Sequence, residues 1–207
     1  MEKPCLFTSL QFANLIMNKL KTSAKKSGHN GSTRIINVSS LGHMYSPIRF
    51  SDYNFTSGKP VQAEESPDWE RLIWRGSKET LDYEPMVAYG QSKTANILFS
   101  VSLNERLQGL GIYSFALHPG AVLSKGGAPM LDILPEHVVK AFPLFKTIDQ
   151  GASTTMVAAF SPELTPGDGV FLSDCQVVTP TKWAVDKDSA NRLWKLSEEL
   201  TGEVFDL

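Results

Sequence analysis

The chain has 207 residues, of which 42% are hydrophobic and 20% charged, with a formal net charge of −2. That composition suffices for one core in a single domain covering 1–207. The near-neutral charge offers no electrostatic case for binding nucleic acid or an anionic membrane, and no apolar run reaches the ~18 residues that would span a bilayer.

The opening MEKPCLFTS lacks the apolar stretch of a signal peptide. Cys5 and Cys175 lie far apart with no Cys-x-x-Cys, so they read as reduced thiols and point to the cytoplasm. The histidines, His43, His118 and His137 among them, have no metal-ligand spacing and read as surface or packed loop residues.

In chain order, residues 6 to about 25 carry a broad apolar face through Leu6, Leu10, Ala13, Leu15, Met17 and Leu20, which predicts a helix. The Gly-, Asn- and Ser-rich residues 27–33 form a loop. Residues 34–39 are a short apolar β-run with Ile35, Ile36 and Val38, as in a buried parallel strand. A long irregular connection follows over 41–87, broken by Pro47, Pro60, Pro67 and Pro85, with a short helix expected over 68–74. A long helix runs from about Tyr89 to Leu107 and is stopped by Gly109 and Gly111. Residues 112–117 are a strand and 118–146 a second loop. A helix over 148–160, a strand over 169–172 and a last helix over 188–200 complete the chain.

Three residues suggest chemistry. Tyr89 and Lys93 stand four apart in MVAYGQSKTANILF, and Ser40 ends RIINVSS. Residues four apart share a helix face, with about 5–6 Å between Cβ atoms. A lysine ammonium so placed can stabilise a tyrosine phenolate and draw its pKa down from about 10. Phenolate and phenol then serve as general base for an alcohol and general acid for a carbonyl. A serine hydroxyl at a strand end can hold the reacting oxygen. Ser39 and Ser40 could each also merely cap the strand or start a turn. Asn96 reads as support for the same helix face. Met44, Phe50, Phe55, Trp69 and Trp74 read first as anchors of the long loop and second as a lipophilic pocket lining.

RIINVSSLGH, YGQSKTANILF, IYSFALHPGAV and GVFLSDCQVVTP, in that order, resemble four motifs of the short-chain dehydrogenase/reductase family, in its retinol-dehydrogenase-like branch. The resemblance runs from about Leu6 to Leu200. It implies an α/β fold: a partial Rossmann-like doubly wound parallel sheet, the C-terminal half of the family's fold. It also implies a catalytic set of Ser40, Tyr89 and Lys93. The cofactor, NADP or NAD, would be met by Tyr89, Lys93, Pro119, Gly120 and Ser124, the Pro119-Gly120 turn lying beneath the nicotinamide. The substrate would be a small lipophilic alcohol or carbonyl compound.

Several family features do not occur in this sequence. There is no Gly-x-x-x-Gly-x-Gly turn and no Asn-Asn-Ala-Gly stretch, and the family's helix asparagine falls on Cys5. A glycine turn of that kind would set the cofactor pyrophosphate on free amides at a helix N-terminus. The expectation is therefore a chain lacking the family's first strands, with weak cofactor binding by the chain alone. Two functions compete: the oxidoreductase, and an inactive truncated paralogue or mis-started chain serving as an interaction module. In either case the strand at 34–39 would have an unpaired edge that invites self-association. The ends of the strands near Ser40 and His118 should border one cleft.

Overall fold

The computed structural model describes residues 8–122, 136–137, 145–205 and 207. Its sheet contains β1 (Thr33–Val38), β2 (Ile112–His118), β3 (Phe171–Ser173) and β4 (Gln176–Val177), adjacent in that order. The β1–β2 and β2–β3 pairs are parallel. The β3–β4 pair is antiparallel and was not foreseen. Its two-residue link has Asp174 at φ 49° and Cys175 at φ 62°. This is the left-handed pair that a tight hairpin needs to follow the twist of its strands. Two tethers hold it: the Cys175 amide donates to Thr154 Oγ1 at 3.2 Å, and Asp174 pairs with Lys146.

Both sheet faces are covered, which is why the strands read as nearly continuous apolar runs. Along β2, Phe115 and Leu117 pack with Ala158 of the helix α4 (Ile148–Phe160), together with Ile36 and Tyr113. On the other face Ile112 joins α1 (Thr8–Ser27) and α3 (Pro85–Arg106), and Ala116 packs on Ile97 of α3. On α1, Leu10, Ala13, Met17 and Ala24 form the buried stripe. They meet Phe99, Leu103 and Leu107, and also Trp194 on α5 (Lys187–Thr201). Thr147 and Gln150 form a reciprocal capping box at the start of α4. At its end, Arg34 reaches across from β1 and donates to the Ala158 and Ser161 carbonyls at 2.8 and 2.6 Å.

A buried polar ladder joins α3 to the sheet. Asn37 Nδ2 donates to Ser100 Oγ at 2.9 Å, and Ser100 Oγ lies 3.1 Å from Ser114 Oγ. Pairing of β3 with β2 begins only at Ala116, so the backbone of Ser114 has no strand partner on that side. Asn104 substitutes for one, donating to the Ser114 carbonyl at 2.8 Å and accepting from its amide at 2.7 Å. No buried backbone group is thereby left without a bond at this point.

Two expectations need correction. The long helix starts at Pro85, not Tyr89. Pro85 sits in the first turn, where a missing N–H costs nothing, and the Glu84 carboxylate accepts from the Val87 amide at 2.8 Å. The 41–87 connection is also more ordered than its prolines suggest. It holds a 3-10 turn at Leu41–Tyr45, another at Ala63–Glu65 and the short helix α2 (Trp69–Trp74). Arg49 and Asp52, both 3% exposed, form a 3.1 Å ion pair inside it. Phe55 and Trp69 pack on Tyr45, Leu72 and Val87, which makes them loop anchors.

Candidate active site

The parallel register sets Val38 opposite Leu117, so β1 and β2 deliver Ser39, Ser40 and His118 to the same carboxyl edge of the sheet. The two serines then diverge. The Ser39 amide continues the ladder by donating to the Leu117 carbonyl at 2.7 Å, and its hydroxyl donates to the Lys93 carbonyl at 2.6 Å. Ser40 is extended (φ −163°, ψ 159°) and opens the 3-10 turn, its Oγ accepting from the Gly42 amide at 3.0 Å.

Two glycines bring the α3 face to that turn. A Cβ on Gly42 would lie 2.4 Å from Tyr89 Cε1 and 3.5 Å from Ser40 Oγ. The bare Cα is therefore the spot around which the tyrosine ring and the serine hydroxyl meet. A Cβ on Gly90 would lie 3.0 Å from the Gly42 carbonyl oxygen and 3.1 Å from the Ser46 amide nitrogen, so α3 rests directly on the backbone of the turn. Thr94 secures the contact, its hydroxyl lying 3.1 Å from the His43 carbonyl and 2.8 Å from that of Ser46.

Lys93 is one turn further along α3. Its Nζ is 5.5 Å from the centroid of the Tyr89 ring and donates to the Val38 carbonyl at 3.2 Å. Asn96 Nδ2 donates to the same carbonyl at 3.1 Å. The structure thus brings Ser40, Tyr89 and Lys93 to one end of β1. Asn96 serves there through Val38 rather than by touching the tyrosine.

Across β2, Pro119 and Gly120 continue from His118, with Gly120 at φ +95°. The aliphatic end of Lys146 lies against this turn, since a Cβ on Gly120 would fall 2.5 Å from Lys146 Cδ. Ser124 and Cys5 lie outside the described residues. A depression of about 400 Å³ sits near Gly111 and Ile112, at the amino end of β2 and away from this chemistry.

His43, read as a surface or loop residue, is 1% exposed and packs edge-on against Phe171 at 4.9 Å. Its Nδ1 is 2.7 Å from the Ser40 carbonyl oxygen, and its Nε2 is 3.3 Å from the Thr181 amide. Burial lowers its pKa, the bond to Ser40 partly opposing and Arg71 adding to the effect. His118 Nδ1 is buried with no hydrogen-bond partner among the described residues. Burial lowers its pKa to about 4, with Asp174 opposing and Lys146 and His43 reinforcing.

Gly42, Gly90, His43 and the Lys146–Asp174 pair escaped the sequence reading. The one available signal was position: a glycine two residues after the serine and another directly after the tyrosine.

No protein-family model matches the chain. Curated relatives do. The chain is 35% identical over 195 residues to the chloroplastic short-chain dehydrogenase TIC 32 A of Brassica napus, covering 90% of this chain and 52% of the relative. It is 35% identical over 191 residues to mouse retinol dehydrogenase 12 (91% and 49%). It is 36% identical over 170 residues to the human WW domain-containing oxidoreductase (82% and 37%). Among solved structures, an uncharacterised protein of Mycobacterium paratuberculosis superposes with a TM-score of 0.53 at 29% identity, covering 84% of this chain and 52% of that one. The chain spans about half the length of the curated relatives it matches. Its parallel sheet with helices on both faces is correspondingly a partial Rossmann-like fold. With the ordered motifs and the shared strand edge, these relatives show that the chain is similar, over about half of their length, to short-chain dehydrogenases, retinol dehydrogenases among them.

Proposed function

We propose that the site serves proton transfer in the interconversion of an alcohol and its carbonyl compound, using NADP or NAD. The observation that carries the reading is the meeting of Tyr89 and Ser40 over the bare Cα of Gly42, with Lys93 one turn along. In the oxidising direction Tyr89 Oη takes the hydroxyl proton of the substrate; in the reducing direction it returns one to the carbonyl oxygen. Ser40 Oγ donates a hydrogen bond to that oxygen and so favours the charge that develops there. The Lys93 ammonium, 5.5 Å from the centroid of the Tyr89 ring, supplies positive charge beside the reacting groups. The nicotinamide, when bound, supplies or accepts the hydride.

The donor set suits the nicotinamide end of such a cofactor. Lys93 offers an ammonium at the carboxyl end of β1, and Tyr89 stands beside it. Pro119, Gly120 and Ser124 are the further contacts in this reading. No glycine-rich turn is present in the sequence for the pyrophosphate. The second reading is an inactive partner module. The substrate reading is a small lipophilic alcohol or carbonyl compound; several relatives are named retinol dehydrogenases. Among the described residues no helix is long and apolar enough to cross a membrane. The proposed compartment is the cytoplasm, and fractionation of tagged protein against membrane and plastid fractions tests it.

The functional test is titration with NADPH and NADH, followed by nicotinamide fluorescence, with turnover of a retinol-sized alcohol. Tyr89→Phe should abolish turnover and spare cofactor affinity, whereas Lys93→Ala should weaken both. Turnover that survives Tyr89→Phe would overturn the assignment. A chain that binds neither nucleotide and turns nothing over favours the inactive module.

A further inference from the structure

The His43 ring bonds on both sides and connects separate parts of the chain. Its Nε2 faces the backbone N–H of Thr181 at 3.3 Å. An N–H can only donate, so Nε2 must carry the lone pair and Nδ1 the proton. The Nδ1–H then donates to the Ser40 carbonyl at 2.7 Å. The same carbonyl accepts the His43 amide at 3.1 Å and is thereby fixed from two directions. The His43 carbonyl accepts from Trp183 Nε1 at 3.1 Å. The segment 181–183, which follows the β3–β4 hairpin, therefore reaches the serine turn only through this residue's ring and carbonyl in the bonds described.

We propose that His43 is a positioning residue for the Ser40 hydroxyl, its Nδ1–H setting the Ser40 peptide plane while Nε2 ties that plane to the Thr181 segment. Ser40's role in oxygen positioning rests on the function proposed above; the geometric link does not. The neutral ring is the form that makes both bonds, and burial keeps it neutral.

Two substitutions separate the ring nitrogens. His43→Asn keeps an N–H donor at the δ position and drops the Thr181 contact. His43→Gln keeps an acceptor at the ε position and drops the donor to Ser40. Both remove ring packing on Phe171, so both should lower Tm by similar amounts. The readout specific to positioning is hydrogen exchange of the Gly42 amide, which donates to Ser40 Oγ, in protein labelled with ¹⁵N-glycine. Exchange should stay within about twofold of wild type in His43→Asn and rise about tenfold or more in His43→Gln, with kcat, where turnover exists, following the same order. Equal exchange in the two variants would overturn the proposal. Failure of wild-type turnover alongside a clear split in Gly42 exchange would overturn the proposed function and leave the link to Ser40 standing.

Discussion

Protonation of His118 should destabilise the fold, and its sign and size follow from where the ring sits. Its Nδ1 is buried without a hydrogen-bond partner among the described residues, and burial lowers the pKa from 6.5 to about 4. The unfolded chain takes up this proton as pH falls through about 6.5, whereas the folded chain takes it up only near 4. Across that window the unfolded state holds more protons, so stability rises with pH. The contribution is complete above about pH 6.5 and is lost progressively as pH falls towards 4. The full gap corresponds to about 3 kcal/mol. The ring is only part-buried, and solvent screening reduces the effect to about 1–2 kcal/mol. Urea unfolding followed by tryptophan fluorescence at pH 7.5, 6.5, 5.5 and 4.5 measures it. The depressed His43 acts in the same direction, so the comparison must be with His118→Asn, whose pH slope should be shallower by that amount. Identical slopes for wild type and variant would refute the reasoning.

Gly42→Ala should push Tyr89 off its rotamer and cut turnover at least tenfold, with only about 0.5–1.5 kcal/mol lost in chemical denaturation. Gly90→Ala should behave oppositely: its Cβ meets backbone that cannot swing aside, so about 1–3 kcal/mol of stability is lost despite the gain in helix propensity. Arg34→Met removes the donors to the Ala158 and Ser161 carbonyls and should cost about 2–3 kcal/mol, read from the denaturation midpoint. β1 lies at one edge of the described sheet, and Val38 is 49% exposed there. The chain is expected to self-associate through that edge in sedimentation velocity, and Val38→Lys should shift it towards monomer.

Much of the architecture is legible because short apolar runs alternate with breakers. The helix over 148–160 forms where the sequence predicts it, and Phe115 and Leu117 are recognisable as buried strand residues, with Ile35 and Ile36 partly buried on the neighbouring strand. The sequence misleads where one residue type has two uses. Pro85 looks like a breaker but opens a helix. β4 is two exposed residues long, too short to show any periodicity. His43 stands among Gly, Ser and Met residues, so nothing local marks it as buried; its partners Thr181, Trp183 and Phe171 are over a hundred positions away. Of the candidate site, the delivery of Ser40 and His118 to one sheet edge follows from the parallel register, and the common face of Tyr89 and Lys93 from their spacing of four on a helix. The glycines that allow their contact were not legible, because their value is the absence of a side chain in a space defined only by the fold.

The ladder of Asn37, Ser100, Ser114 and Asn104 has a consequence for the accuracy of the site. Leucines and alanines along α3 would accept more than one longitudinal seating on the sheet, because apolar contact is non-directional. Hydrogen bonds are not so tolerant. A slip of α3 by one turn moves Tyr89 by about 5.4 Å and strands Asn37 and the Ser114 backbone in an apolar interior. The ladder works as a vernier: buried amides and hydroxyls in the second half of the helix index the position of a phenol about three turns away.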